Sequence, residues 1–277
     1  MAKNPKNASV YQKLIQTCKY FFALNPIIVA PVLVCVKKEW FACERFECFG
    51  ELYKYCKIND IPTKFKIWLS RSIDTNFEDV SRLSPLIPRI YRSDAIEITL
   101  LYCESSPIGF FYDAPVQKVK KFITFHDFLF FAANAERIVL DNRSIKYENG
   151  DTVLFETIIK SLPKLKWLYY ESDDGKDITS NSAFNLMEDF KGFSYLNLNG
   201  FTEKLDVETI FDFIIKNKHI EFNLHYHPDL SFPFKELVRK YSKLLLNESQ
   251  CQSTIKFPRM DYDNISDLEG LDIDDEE

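Results

Sequence analysis

Glycine is scarce in this sequence, with only 7 residues among 277. So little glycine excludes collagen-like and glycine-rich low-complexity chains, which depend on it. The sequence also lacks both glycine-rich phosphate-binding patterns, Gly-x-Gly-x-x-Gly and Gly-x-x-x-x-Gly-Lys-Ser/Thr. We therefore expect no nucleotide-binding loop and no cofactor.

The 7 cysteines form no recognisable metal or disulfide pattern. No Cys-x-x-Cys pair occurs, and the number is odd, so neither a structural zinc site nor a disulfide framework is predicted. Reduced thiols, most of them buried, are expected, as is usual in intracellular proteins. Nothing in the sequence distinguishes one cysteine as a nucleophile.

Histidine is also scarce, with only 4 residues. His225 and His227 lie on one side of a predicted strand with Asp229 nearby, but no third ligand is identifiable. Ordinary surface histidines are therefore favoured over a metal site. The carboxylate pair Glu203 and Asp206 falls in a predicted loop without apolar surroundings. We predict no catalytic, cofactor-binding or metal-binding residues, and hence a protein that is not an enzyme.

No long uninterrupted apolar run is present. The most apolar stretch, residues 20–36, contains Asn25, Pro26 and Pro31, so it is too short and too broken for a membrane-spanning helix. No signal peptide is evident. We expect no membrane contact and an intracellular location, either cytoplasmic or nuclear.

Composition and charge are those of a folded protein with an acidic end. The sequence is 46% hydrophobic and 15% aromatic, which excludes a wholly disordered chain. Residues 261–277 carry nine acidic side chains and neither Lys nor Arg, and are predicted to be a disordered tail. The remaining chain is nearly balanced, with 35 basic and 32 acidic side chains. No basic region is dense enough to predict nucleic-acid binding.

A strand-like motif recurs along the second half of the sequence. Its central apolar positions are separated by 40, 30, 28 and 26 residues, and they are Ile98, Ile138, Leu168, Leu196 and Phe222. A sixth copy is possible around Ile255. The shorter intervals lie near the period of about 20–29 residues that leucine-rich repeats show.

Helical patterns fall between these strands. They cover residues 125–133, 152–161, 181–190 and 207–217, and Asp206 is a plausible N-cap for the last one. Strands that alternate with helices at this spacing predict stacked units that share one core, with a parallel sheet on one face.

Residues that alternate with the core positions should point to the opposite face of that sheet. Five such positions form the predicted target-binding face: Thr99, Val139, Tyr169, Asn197 and Asn223. Their mixture of tyrosine, amide and hydroxyl groups suits contact with another protein. The alternative interpretation, that they are merely exposed strand positions, has equal weight on the sequence alone.

The N-terminal region contains a predicted helix over residues 10–24. Its apolar stripe includes Leu14, Cys18, Phe21 and Phe22. The stretch 14–22, Leu-Ile-Gln-Thr-Cys-Lys-Tyr-Phe-Phe, resembles the later part of the F-box in the F-box-like family of Caenorhabditis nematodes. Residues 25–29 and 66–69 are also similar to the continuation in that family. The first ten residues contain no Leu-Pro pair, with which an F-box usually begins, so the F-box-like segment is expected to be truncated.

The resemblance implies a function as well as a fold. It implies that Leu14, Cys18, Phe21 and Phe22 bind the Skp-type linker subunit of a cullin ubiquitin ligase, while a repeat-bearing domain holds the substrate. The predicted fold is α/β, a short leucine-rich-repeat-like solenoid with a parallel sheet, preceded by a small all-helical F-box-like segment. The predicted divisions are residues 1–72, helical; 73–260, the array; and 261–277, the tail. The function expected is therefore a protein-interaction module, a substrate-recognition subunit that is itself a monomer. The alternative is a stand-alone recognition or scaffold protein whose N-terminal helices only cap the solenoid.

Overall fold

A computed structural model describes most of the chain. The described residues are 7–46, 52–53, 55–75, 79–101, 122–141, 144–172, 175, 177–178, 192–248 and 253–256. The predicted helix over residues 181–190 and the predicted acidic tail over residues 261–277 lie outside them.

Helices and strands alternate along the chain. The helices are α1 Ala8–Thr17, α2 Lys19–Leu24, α3 Phe125–Ala132, α4 Phe155–Lys160, α5 Val207–Lys216 and α6 Phe232–Asn247. The N-terminal strands are β1 Ile27–Val36, β2 Glu39–Cys43, β3 Arg45–Phe46, β4 Leu52–Tyr53, β5 Cys56–Lys57, β6 Lys66–Asp74 and β7 Ile90–Ser93. The later strands are β8 Glu97–Leu100, β9 Ile123–Thr124, β10 Arg137–Asp141, β11 Ile145–Lys146, β12 Trp167–Glu171, β13 Tyr195–Phe201, β14 Glu221–Tyr226 and β15 Thr254–Lys256.

A single large sheet of 11 strands organises the described part of the molecule. Its order is β15-β14-β13-β12-β10-β8-β6-β1-β2-β5, with β7 paired to β6 beside this path. The pairs β1–β2 and β2–β5 are antiparallel, and the other pairs of this sheet are parallel. The protein is thus a mixed α/β structure with a largely parallel central sheet.

The five strands of the recurring motif are neighbours in this sheet. Their central residues are paired directly, so that one row of buried side chains crosses the sheet: Ile98, Ile138, Leu168, Leu196 and Phe222. The sixth copy is also present, because β15 pairs with β14 through Ile255 and Leu224. The prediction of side-by-side parallel strands is confirmed.

Helices α3 to α6 cover one face of the sheet. Their buried side chains join the same core cluster as the row of buried strand residues. On α5, Val207, Ile210 and Ile214 lie along one side, where helical periodicity places them. Asp206 caps this helix as predicted, because its Oδ2 accepts a hydrogen bond of 2.8 Å from the backbone N–H of Thr209.

The prediction of an all-helical segment over residues 1–72 is wrong beyond Leu24. The apolar run from Ile27 onwards is strand β1, and β6 begins at Lys66. Both faces of β1 pack against other residues, because Leu33 joins the main core while Val34 joins a second cluster. A strand buried on both faces reads as one continuous apolar run, and its period does not distinguish it from a buried helix.

The predicted helix over residues 10–24 is also divided. Cys18 has extended backbone angles (φ −147°, ψ 109°), so α1 ends at Thr17 and α2 begins at Lys19. The sheet continues across residue 72, the predicted boundary, because β6 pairs in parallel with both β1 and β8.

Candidate functional site

The candidate site is the face of the sheet opposite to α3–α6. Three rows of side chains cross it from β8 to β15, and we call these residues the open face. The first row is Glu97, Arg137, Trp167, Tyr195 and Glu221. The second row is Thr99, Val139, Tyr169, Asn197, Asn223 and Thr254. The third row is Asp141, Glu171, Asn199, His225 and Lys256, of which Asp141 is buried.

The first row carries a stack of planar groups. The indole of Trp167 and the phenol of Tyr195 are nearly parallel, with ring centroids 4.6 Å apart and 6° between the planes. The guanidinium of Arg137 lies 3.9 Å from the centroid of the Trp167 ring. Aromatic stacking and a cation over a ring each stabilise by about 0.5–1 kcal/mol at such half-exposed positions. The row is therefore a fixed platform with aromatic and cationic character.

The second row is linked to its neighbours by side-chain hydrogen bonds. The Nδ2 of Asn197 donates to the hydroxyl of Tyr195 over 3.2 Å, and Thr254 donates to the Oδ1 of Asn223 over 2.7 Å. In contrast, the Oδ1 of Asn197 is buried and accepts no hydrogen bond. A buried acceptor without a donor costs about 1–3 kcal/mol, so the centre of the face carries an unmet demand for an N–H or O–H group.

The third row carries charged side chains, and they shift the pKa values of Tyr169 and His225. Burial raises the pKa of Tyr169, and the carboxylates of Glu171 and Asp141 raise this pKa further. Burial, together with the neighbouring Lys256, lowers the pKa of His225 to about 4. The imidazole of His225 is consequently neutral at physiological pH.

The five predicted target-binding residues all lie in the second row. Thr99, Val139, Tyr169, Asn197 and Asn223 are each half-buried and pair with one another across neighbouring strands. Sequence reasoning missed the flanking rows, including the Arg137–Trp167–Tyr195 stack. The signal was available, because those residues stand two positions before or after the predicted ones and share their side of each strand.

The predicted linker-binding residues lie on the two N-terminal helices. Leu14, Phe21 and Phe22 are half-buried, whereas Cys18 is exposed at the break between α1 and α2. The ring of Phe22 contacts that of Phe65, with centroids 5.5 Å apart. Part of this predicted surface is therefore already used in packing.

Helix α1 is attached to the sheet through Tyr11. This side chain is fully buried, contacts Trp68 with ring centroids 6.3 Å apart, and donates a hydrogen bond to the backbone carbonyl of Asn25. Trp68 is itself fully buried and its Nε1 donates to Asp94 over 2.9 Å. The helix thus covers the sheet at β1, β6 and β7, beside the open face.

Exposed apolar side chains remain on the N-terminal helices after this packing. Val10, Tyr20 and Leu24 have exposed fractions of 53%, 64% and 49%. Other apolar side chains are as exposed elsewhere in the described residues, among them Phe232 at 72% and Leu246 at 60%.

A buried polar network supports the end of β12. Tyr170 and Ser172 donate hydrogen bonds through their hydroxyl groups to the two carboxylate oxygens of Asp177, which is fully buried. The backbone N–H of Gly175 in turn donates to the Ser172 hydroxyl over 3.1 Å. These bonds tie Gly175 and Asp177 to the end of β12, the strand that carries Trp167 and Tyr169.

Groups for metal or nucleophilic chemistry are not assembled in the described residues. No set of three or more His, Cys, Asp and Glu side chains there is placed to hold a metal ion. His227 lies beyond the end of β14, with its Nδ1 3.6 Å from Asp229 Oδ2. A cleft of about 390 Å³ opens near α1, and burial raises the pKa of the lining Cys43 thiol to about 11. This thiol is protonated at neutral pH and is a poor nucleophile.

Comparison with known proteins gives no match, whether with protein-family models, curated protein sequences or solved structures. In the part of the chain that the structure describes, no helix has the length and apolar character needed to cross a membrane.

Proposed function

We propose that this protein is a protein-interaction module whose open face binds a target protein. The observation that carries the proposal is the open face itself, with its stacked Arg137, Trp167 and Tyr195 on a sheet held rigid by parallel pairing. Tryptophan, tyrosine and arginine are the residues most enriched among the contacts that dominate protein–protein binding. We also propose that the repeated strand–helix units form a leucine-rich-repeat-like solenoid, since their strands pair at corresponding positions.

The form of this function that the F-box resemblance implies is a substrate-recognition subunit of a cullin-type ubiquitin ligase. Helices α1 and α2 would then bind the Skp-type linker subunit through Leu14, Cys18, Phe21 and Phe22. The exposed side chains of Val10, Tyr20 and Leu24 support a contact at these helices. The open face lies on the same side of the sheet as α1, which leaves both surfaces available on one molecule.

A second candidate is a stand-alone recognition or scaffold protein without a ubiquitin-ligase link. The buried contact between Tyr11 and Trp68 favours this candidate, because it makes α1 a packed part of the fold and not a free binding element.

A binding experiment separates the two candidates. The full chain, immobilised, is incubated with a purified Skp-type linker protein, and retention is measured for the unmodified chain and for Leu14→Asp and Phe21→Asp. The adaptor predicts retention by the unmodified chain and a loss of at least tenfold in both variants. Leu246→Asp, which changes an exposed residue of α6, is the matched control and should bind normally. No retention of the linker protein by the unmodified chain would leave only the stand-alone candidate.

A further inference from the structure

The open face carries more negative than positive charge. Its accessible carboxylates are Glu97, Glu171 and Glu221, because Asp141 is buried, whereas its cationic side chains are Arg137 and Lys256. His225 adds no positive charge at neutral pH, since its pKa is lowered. On β6, Asp74 pairs with Thr99 and extends the acidic surface by one strand. A face of this sign attracts cationic partners and repels nucleic acid.

The aromatic groups on the face are already used to bind a cation. The chain's own Arg137 lies over Trp167 at 3.9 Å, which shows that the platform accepts a guanidinium. Tyr169 is the next aromatic residue towards the third row, and the carboxylates of Asp141 and Glu171 are near its ring. Asp141 is buried, so Glu171 is the carboxylate that can stabilise a lysine or arginine head group placed over this ring.

The hydrogen-bonding groups of the open face also suit a cationic partner. The Oδ1 of Asn197, in the middle of the second row, is an acceptor without a donor. Arginine and lysine side chains carry only donors, whereas a partner rich in carboxylates would bring further acceptors to this face. Charge and ring chemistry therefore favour a cationic partner.

We propose that the open face binds a lysine- and arginine-rich segment of its target protein, with one cationic side chain over Tyr169 beside Glu171. This inference rests on the proposed function of the face as a protein-binding surface and adds the chemistry of the partner. Binding depends on the carboxylates and therefore weakens as salt concentration rises.

The test uses the full chain as bait for a displayed library of random 12-residue peptides. The expected result is enrichment of peptides with a net positive charge. A synthetic copy of an enriched peptide is then titrated against the unmodified chain and against Glu171→Gln, Glu97→Gln and Tyr169→Leu. Each variant should weaken binding at least fivefold, and the double variant Glu97→Gln/Glu171→Gln at least twentyfold. Glu148→Gln removes the same charge from an exposed turn outside the face and is expected to bind as tightly as the unmodified chain.

The possible outcomes test separately whether the partner is cationic and whether the open face binds proteins at all. Enriched peptides that are neutral or acidic but lose binding in Tyr169→Leu would overturn the cationic partner and leave the proposed function standing. Peptides whose binding is unchanged in all the open-face variants would overturn both. Failure to enrich any peptide would also count against both, and circular dichroism of each variant excludes unfolding as the cause of a loss.

Discussion

Gly200 occupies a position that only glycine fits. Its φ is +77°, and a Cβ built on it would lie 1.9 Å from the carbonyl oxygen of Ser172 on the neighbouring strand segment. The pairing of β13 with β14 shifts register at this residue, between Asn199 and Phe201. The glycine therefore permits the bulge at which β13 leaves the third row of the open face.

We predict that Gly200→Ala lowers the free energy of unfolding by about 3 kcal/mol, since it combines a left-handed backbone angle with a backbone clash. Gly150→Ala is the matched control. Its φ is +90° but no atom lies within 4 Å of a built Cβ, so a loss of only about 1–2 kcal/mol is expected. Urea denaturation followed by circular dichroism measures both, and equal losses would contradict the clash.

His225 gives the protein a pH-dependent stability. Its pKa in the folded state is about 4, below the value of about 6.5 expected in the unfolded chain. Between these values the unfolded state binds more protons, so the stability falls as the pH decreases from about 6.5 to 4. Because the imidazole is only half-buried, we expect this contribution to be about 1–2 kcal/mol.

The variant His225→Gln should show a smaller loss of stability over the same pH range. Urea denaturation at several pH values between 4 and 7 measures the difference. Identical slopes for the variant and the unmodified chain would show that His225 is protonated as easily in the folded state as in the unfolded state.

At the scale of single elements, α5 depends on its N-cap. Asp206 accepts hydrogen bonds from both the backbone N–H and the hydroxyl of Thr209, at 2.8 and 2.6 Å. We predict that Asp206→Ala destabilises the protein by about 1 kcal/mol. Asp212→Ala, which removes an exposed carboxylate from the same helix, should change the stability by less than about 0.5 kcal/mol. Thermal unfolding compares the two, and an equal effect would mean that the cap contributes nothing.

The elements also show where sequence reasoning is reliable. The alternating pattern of β8, β10, β12, β13 and β14 predicted both the strands and the side chains that share a face, because one face is buried and the other is not. The same reasoning failed for β1, whose residues are apolar on both faces. A continuous apolar run carries no period, so a helix and a doubly buried strand are indistinguishable in it.

At the scale of the whole molecule, the N-terminal helices are part of the folded structure. Tyr11 on α1 is fully buried against Trp68, and Phe22 on α2 contacts Phe65. Removal of residues 1–24 would expose Ile27 and Trp68, which are both fully buried. The loss of folding stability should therefore come mainly from the exposure of these two side chains to water.

We predict that deletion of residues 1–24 lowers the melting temperature by roughly 5 °C or more, since a buried tryptophan contributes about 2–3 kcal/mol. The tryptophan fluorescence should also shift to longer wavelength as Trp68 becomes exposed to water. The control is Leu24→Ser, which changes an exposed residue of α2 and should leave both measurements almost unchanged. An unchanged melting temperature and emission after the deletion would contradict the packing of α1 on the sheet.

The sequence by itself determined the five parallel strands of the recurring motif and the row of five residues on the open face. Both follow from the local alternation of apolar and polar residues, which indicates the side chains that will be buried. Only the tertiary structure showed that β1 and β2 extend the sheet. It also showed that the buried Asp177 accepts hydrogen bonds from Tyr170 and Ser172, and that Tyr11 packs against Trp68. Those features depend on contacts between residues far apart in the chain. A local pattern of apolar residues does not specify which distant residues will pack against them.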